Sequence, residues 1–386
     1  MQIRIDGGRS LIGGHLEETS IHLDPDPGTI TELGADASAE RTIDASGYFV
    51  LPGIVDVHGD AFERQMMPRP GVGFPIDVAL LESDRQAVAN GITTVFHGVT
   101  WSWEGGLRGA ENARAILDGI ERLRPRLGAD TRYHLRHETY NLDAEPEILE
   151  WVARRRIDAI AFNDHMTGTV EASDRARKVA QMAERSGRTS EDFLAVIERT
   201  RCRADEVPSS IRRLAAAANA SGVPLLSHDD TSPERRGWFR SLGCRLAEFP
   251  TTVETAADAA SQGDDVVLGA PNVVRGGSHT GWIDATEMIG RGFCSVLASD
   301  YYYPAPLLAG FALVERGILS LPQAWTLVSQ TPAAAVGFAD RGTIAIGGRA
   351  DLIIVDASGG QPRVVATIVA GRIVHLAQAD IIVTAR

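Results

Sequence analysis

Leu51-Pro52-Gly53-Ile54-Val55-Asp56-Val57-His58-Gly59-Asp60 is a short apolar run that ends in two metal-ligand side chains. Pro52 and Gly53 punctuate its start. Successive strand side chains alternate between faces, so His58 and Asp60, two apart, share one. An imidazole nitrogen beside a carboxylate oxygen suits a borderline divalent ion, zinc first, with manganese and iron as alternatives. The plainer interpretation is a surface histidine and aspartate closing a strand.

Working outward, short apolar runs alternate with longer amphipathic stretches from Leu51 to about Ala339. The runs are 53–57, 93–96, 132–135, 157–162, 223–226, 244–249, 266–268 and 294–297, with helical patterns such as 110–123 and 209–220 between them. Eight such runs predict an α/β fold, a (β/α)8 TIM-like barrel, and a span of about 290 residues fits its usual size with insertions. A doubly wound sheet would want a glycine-rich phosphate turn after its first strand, and the chain has none there. Segments 1–50 and 340–386 read as strands and turns instead: 3–5, 19–23, 29–33 and 41–43 at one end, 342–344, 350–355 and 367–374 at the other. These termini are expected to pair into a small composite β-sandwich domain, leaving 51–339 as the barrel.

At 386 residues and 44% apolar content the chain can bury a large core. No apolar run is long enough for a membrane span, and the start, Met1-Gln2-Ile3-Arg4-Ile5-Asp6, does not read as a signal peptide. Cys202, Cys244 and Cys294 are far apart and lack C-x-x-C spacing, so a cytoplasmic location is expected. A net charge of −13 argues against nucleic-acid binding. It also denies an anionic substrate long-range steering, which leaves metals and a few placed arginines to bind one. A homo-oligomer is compatible with the chain.

Barrel enzymes carry their reactive groups where strands end. Those positions hold His58 and Asp60, then His97, then His134, Arg136, His137 and Glu138, then Asn163-Asp164-His165, then Ser227-His228-Asp229-Asp230, and last Ser299-Asp300. A hydrolytic metal site needs imidazoles, carboxylates and a carboxylate that accepts a proton from the attacking water. His58, Asp60 and His228 are the expected ligands, joined by Glu138, His165 and Asp300. Asp300 is also the expected general base, its plainer role being a helix cap. His97, His134 and His137 suit packing or supporting positions. Two loops could bind phosphate. Gly269-Ala270-Pro271-Asn272-Val273-Val274-Arg275-Gly276-Gly277-Ser278-His279-Thr280-Gly281 offers backbone N–H groups with Arg275 and His279. Met67-Pro68-Arg69-Pro70 offers Arg69, and Arg136 is a further substrate contact. The plainer account of both loops is solvated surface.

These motifs together resemble one family of the amidohydrolase superfamily. It is the α-D-ribose 1-methylphosphonate 5-triphosphate diphosphatases of the carbon–phosphorus lyase pathway. The matching pieces run in order from Leu51-Pro52-Gly53 and His58-x-Asp60 through Pro68-Arg69-Pro70, Gly91-Ile92-Thr93-Thr94-Val95, His134-Leu135-Arg136-x-Glu138, Asp164-His165 and Ser227-His228-Asp229-Asp230. Ala247-Glu248-Phe249-Pro250-Thr251-Thr252, the loop from Gly269 to His279, and Ser299-Asp300-Tyr301 complete them. The resemblance implies a barrel with a composite β-domain, one or two divalent ions and a small phosphorylated sugar as substrate. Many amidohydrolases bridge two ions with a carbamylated lysine. Lys178, the chain's only lysine, falls in a charged helical stretch well past the fourth strand, so Glu138 becomes the expected bridge. Glu248 stands where many amidohydrolases carry a histidine ligand, which makes His165 the expected replacement.

The chain also departs from the family. After Asp164-His165 the family continues Thr/Ser-Pro-Gly-Gln-Arg-Gln-Phe, whereas this chain reads Met166-Thr167-Gly168-Thr169-Val170. His97-Gly98-Val99-Thr100-Trp101-Ser102-Trp103 is bulkier and more aromatic than the family pattern. The leading expectation is therefore hydrolysis of a ribose 1-phosphonate 5-triphosphate to the 5-phosphate and pyrophosphate. The alternative is an amidohydrolase acting on a cyclic amide, or deaminating a nitrogen heterocycle stacked on Trp101 and Trp103. A barrel without activity that serves as an interaction protein is a third, and the full ligand set speaks against it.

Overall fold

The structure is a computed structural model, and it describes residues 2–35, 39–69, 71–170, 175–278 and 281–384. Eight parallel strands form the central sheet: β1 Ile54–Gly59, β2 Ile92–Trp101, β3 Asp130–Glu138, β4 Ala159–Asn163, β5 Leu225–His228, β6 Leu246–Glu248, β7 Asp265–Gly269 and β8 Val296–Ala298. They lie side by side in chain order. A parallel bridge between Gly59 and Asp300 brings β8 back to β1. Lower on the seam, the carbonyls of Leu327 and Val328 accept from the amides of Leu297 and Val55. The result is a (β/α)8 barrel, as the alternating pattern predicts. Helices coat it with their apolar stripes inward. In Ala110–Leu123 the buried side chains are Ala113, Ile116, Leu117, Ile120 and Leu123, the i, i+3, i+4 pattern of one helix face.

Two details depart from the expected boundaries. First, β2 runs on to Trp101, so His97 sits mid-strand rather than at a strand end. Gly98 to Trp101 continue a fully buried strand, and only Ser102 and Trp103 pass into the turn beyond it. Second, Leu51 and Pro52 belong to a separate strand, Phe49–Pro52, which pairs antiparallel with Leu352–Asp356 outside the barrel. The chain crosses between the two at Gly53, where a Cβ would collide with Thr93.

The terminal segments form two sheets of five and six strands, each mixing N-terminal and C-terminal strands. Ile5, Ile21, Ile43, Leu352, Ile354 and Ile368 fill one core between them. The expected strand at 342–344 is absent; that stretch is a bend with Ile344 turned into this core. The expected strand 367–374 is two, Arg363–Val369 and Arg372–Leu376. They turn at Gly371, whose φ of 73° and close approach to the Pro25 backbone suit glycine alone. Strands at Arg9–Ile12, His15–Glu18 and Ile382–Thr384 went unanticipated.

Between β4 and β5 the chain makes a long excursion through helices His165–Val170, Arg175–Ser186, Ser190–Arg201 and Val207–Ser221. Met166, Val179, Met182, Phe193 and Ile197 form a small core of their own there, with Trp103 packed against it. This excursion supplies one wall of the cavities described below.

Candidate active site at the barrel mouth

The carboxyl ends of β1 and β8 are locked together by backbone. The Asp300 amide donates to the His58 carbonyl and the Asp60 amide to the Asp300 carbonyl, both at 2.9 Å. Beneath them the buried Asp56 carboxylate accepts from the Ser299 amide at 2.9 Å, from Ser299 Oγ at 2.5 Å and from the His58 amide at 3.3 Å. Burial pushes Asp56 up to about 6, against the lowering effect of those bonds. One carboxylate thus ties the backbone of His58 to that of Ser299, next to Asp300.

Alternation along β3 sends His134, Arg136 and Glu138 to one face. Each meets a different part of the site. His134 Nδ1 donates to the Val57 carbonyl at 3.1 Å. Arg136 donates to Asp60 Oδ2 at 3.3 Å and to His228 Nε2 at 3.2 Å. Glu138 accepts from His165 Nδ1 at 2.5 Å and from its backbone amide at 3.2 Å. His137, on the opposite face, packs edge-on against Phe162. From β6, Glu248 reaches across to His58 Nδ1 at 2.6 Å. His228, at the end of β5, has its Nδ1 3.0 Å from Asp229 Oδ2.

Asp229 and Phe249, directly after β5 and β6, and Asp300, two residues after β8, have left-handed backbone, at φ 56°, 53° and 54°. Side chains other than glycine pay roughly 1–2 kcal/mol for this conformation. Such strain gathers where a side chain must be aimed, and these three residues line one cavity.

The electrostatics favour a cation. Burial, then the charges of Arg136 and His228, hold His58 well below its ordinary value, so the ring is neutral. With its Nδ1–H donated to Glu248, it keeps a lone pair on Nε2. Burial and the neighbouring Asp60 carboxylate push Asp300 well above the usual carboxylate range. Glu138 is the reverse case. Burial would raise it, but the charge and hydrogen bonds of His165 outweigh burial and bring it to about 2.

Two sets of side chains place ligand atoms within 4.8 Å of one another: His58, Asp60 and Asp300, and His58, His134 and Glu248. Glu248 Oε2 and His134 Nε2 are buried without a hydrogen-bond partner among the described residues. An unpaired buried carboxylate oxygen is costly, and a crowd of carboxylates more so, unless a cation joins them. The mixed nitrogen and oxygen donors fit a borderline divalent ion.

A cavity of about 280 Å³ opens over this cluster. Of the residues expected from sequence, His58, Asp60, Arg136, His165, His228 and Asp300 all line it. Glu138 does not; it is buried, with both oxygens engaged by His165. Arg69 and Arg275 are exposed and line neither this cavity nor its neighbour. His279 and Pro70 fall outside the described residues. The stretch expected to be a glycine-rich loop begins as a helix, Ala270–Arg275. The amides of Gly276 and Gly277 end that helix by donating to the Asn272 carbonyl, so they are not offered to a ligand. Trp101 and Trp103 line neither cavity: Trp101 is buried against Trp151, and the half-buried Trp103 packs on Phe193. Sequence reasoning placed Glu248 and Asp229 at strand ends without giving either a role, and it passed over Arg108 and Trp282. Glu248 carried a legible signal, a carboxylate ending a barrel strand. Arg108 and Trp282 come from loops and carried none.

An eight-stranded parallel barrel with a histidine and two aspartates clustered at its carboxyl-end mouth defines a hydrolase of the metal-dependent class. A sequence profile of the amidohydrolase family matches residues 299–375, beginning at Ser299-Asp300. The chain is 34% identical to the alpha-D-ribose 1-methylphosphonate 5-triphosphate diphosphatase of Escherichia coli (strain K12) over 322 residues, 81% of this chain and 85% of that protein. Among solved structures, an amidohydrolase from an environmental sample of the Sargasso Sea matches with a TM-score of 0.66 at 16% identity, over 97% of this chain and 93% of that one. D-hydantoinase from a Bacillus sp. AR9 matches with a TM-score of 0.64 at 14% identity, over 97% of this chain and 95% of that one. The structural likenesses establish the fold. With the sequence likeness to the diphosphatase, they make this chain a member of the amidohydrolase superfamily.

Proposed function

We propose that this chain is a diphosphatase of phosphonate metabolism, hydrolysing a ribose 1-phosphonate 5-triphosphate to the 5-phosphate and pyrophosphate. The observation that carries the substrate is the 34% identity, over 81% of the chain, to an enzyme named for that activity. The site supports it chemically. His58, Asp60 and Asp300 would hold a divalent ion, zinc by preference, with His228 alongside. Bound there, the ion supplies Lewis acidity and offsets phosphate charge.

The chain's own residues do the rest. Asp300, at the cavity wall beside Asp60, accepts the proton of the attacking water. Arg136, fixed by Asp60 and His228, puts a guanidinium where negative charge develops. Glu138 fixes His165 at the cavity wall. The three cysteines are free thiols, which fits the cytoplasm as the proposed location.

The test is a panel of ribose 5-triphosphates, nucleoside triphosphates, hydantoins and nucleobases offered to metal-loaded protein. Phosphorus NMR and ammonia release follow the products. Pyrophosphate from the ribose triphosphate is the expected result. Turnover confined to cyclic amides or amino-heterocycles would replace this proposal with the amide-hydrolase alternative.

A further inference from the structure

The cavity over the metal-ligand cluster does not end at His165. A second lobe of about 330 Å³ continues beyond it, and Arg108, His165, His228, Asp229 and Trp282 face both. The two lobes differ in chemistry. The inner one holds His58, Asp60, Asp300 and Arg136 beside the apolar Phe249 and Ile283, and suits the sugar with its α-phosphate. The outer one adds Lys178, Arg235, Asp164, Met182 and four threonines, Thr167, Thr169, Thr231 and Thr251.

The charges of the outer lobe are unequally matched. Arg235 is met by Asp164 at 3.3 Å and Asp230 at 3.7 Å, and Arg108 by Glu63 at 3.0 Å. Asp229 stands against His228 and His165. Lys178 makes no ion pair among the described residues; its Nζ donates to the Gly168 carbonyl at 3.1 Å. It is also the single lysine of a chain whose other basic side chains are all arginine. A lysine is a compact, swinging point charge, suited to a mobile phosphate chain rather than to a fixed planar fork.

We infer that the outer lobe receives the diphosphate leaving group, with Lys178 as its charged contact and threonine hydroxyls around it. This rests on the diphosphatase activity proposed above. In that reaction the water oxygen bonds to the α-phosphorus beside Asp300, which takes the water proton. The bond from α-phosphorus to the α–β bridging oxygen breaks, its electron pair stays on that oxygen, and pyrophosphate leaves. The attacking and leaving oxygens lie roughly in line, so a sugar held in the inner lobe directs the leaving group outward, past His165.

The test is calorimetric titration of metal-loaded wild type, Lys178→Gln and Arg85→Gln with inorganic pyrophosphate, alongside hydrolysis of the triphosphate. Arg85 is 79% exposed on a helix outside the barrel and controls for net charge. Lys178→Gln is expected to weaken pyrophosphate binding on the order of tenfold, the size of one charge-assisted hydrogen bond, while Arg85→Gln leaves it unchanged. Equal binding by wild type and Lys178→Gln, or none by wild type, overturns the inference even where hydrolysis is intact. Lys178-dependent binding without triphosphate hydrolysis retains the lobe as a pyrophosphate site and removes the diphosphatase proposal instead.

Discussion

The backbone amide of Asp60 donates to the carbonyl oxygen of Asp300 at 2.9 Å, so the two carboxylates stand where the first and last strands of the barrel meet. Fold closure and site assembly are therefore one event. A chain that fails to bring β8 to β1 leaves its cation cluster open as well. The left-handed backbone at Asp300 and the Asp56–Ser299 bonds below it are part of the same joint.

Asp300→Asn keeps the size and the backbone hydrogen bonds of Asp300 while removing its basicity. Loss of a positioned general base typically lowers kcat by a factor on the order of 10²–10⁴. Circular dichroism should stay near wild type, and kcat is compared at saturating metal because Asp300 also belongs to the proposed ligand set. A near-normal kcat with metal in place removes Asp300 from the base role.

Glu248→Gln should loosen the metal. Glu248 holds His58 Nδ1 at 2.6 Å and has a second oxygen without a hydrogen-bond partner among the described residues. Groups that orient a ligating imidazole commonly contribute a factor of about 10–100 in metal affinity. Competition with a chelator measures this directly. Unchanged affinity means that Glu248 neither orients nor supplements the ligands.

Much of this was legible before the fold was known, because strand alternation and strand-end chemistry are local. The His58-x-Asp60 spacing places its side chains with no tertiary knowledge, and so does His134-x-Arg136-x-Glu138. What stayed illegible depends on partners distant in sequence. Arg69 and Arg275 look like phosphate contacts until folding leaves them exposed outside the cavities. Gly276 and Gly277 look like an anion nest until the Asn272 carbonyl takes their amides. His15–Glu18 is exposed throughout, so no apolar alternation marks it as a strand. Glu248 was placed at its strand end but given no role of its own, because its pairing with His58 spans 190 residues.

The double variant His58→Ala, Asp60→Ala removes two members of the closest ligand set. Elemental analysis of the purified variant should find far less divalent metal than in wild type. Treating wild type with a chelator should likewise abolish hydrolysis, and zinc or manganese should restore it. Equal metal content in variant and wild type would place the ion elsewhere.

Stability at acid pH should depend on Asp130, at the opposite end of β3 from the site. Its carboxylate accepts from Arg132 at 2.8 and 2.7 Å and from Arg341 at 2.7 Å, which ties the barrel to the segment leading into the C-terminal strands. Burial alone would raise Asp130, but the hydrogen bonds and charges of the two arginines outweigh it and hold it below its ordinary value. A depressed carboxylate contributes stability that is present above the unfolded-state value, about 3.9, and is lost as pH falls through the folded one. Asp130→Asn leaves two largely buried guanidinium groups short of a partner, and breaking such a pair costs about 3 kcal/mol. Urea unfolding at pH 7 should therefore show the variant clearly less stable than wild type. At pH 3, below the unfolded-state value, the gap should narrow, because the unfolded chain then binds a proton that the folded carboxylate resists and the wild type gives up part of that stability. A gap of constant size across that range would mean that Asp130 acts through its shape and not its charge.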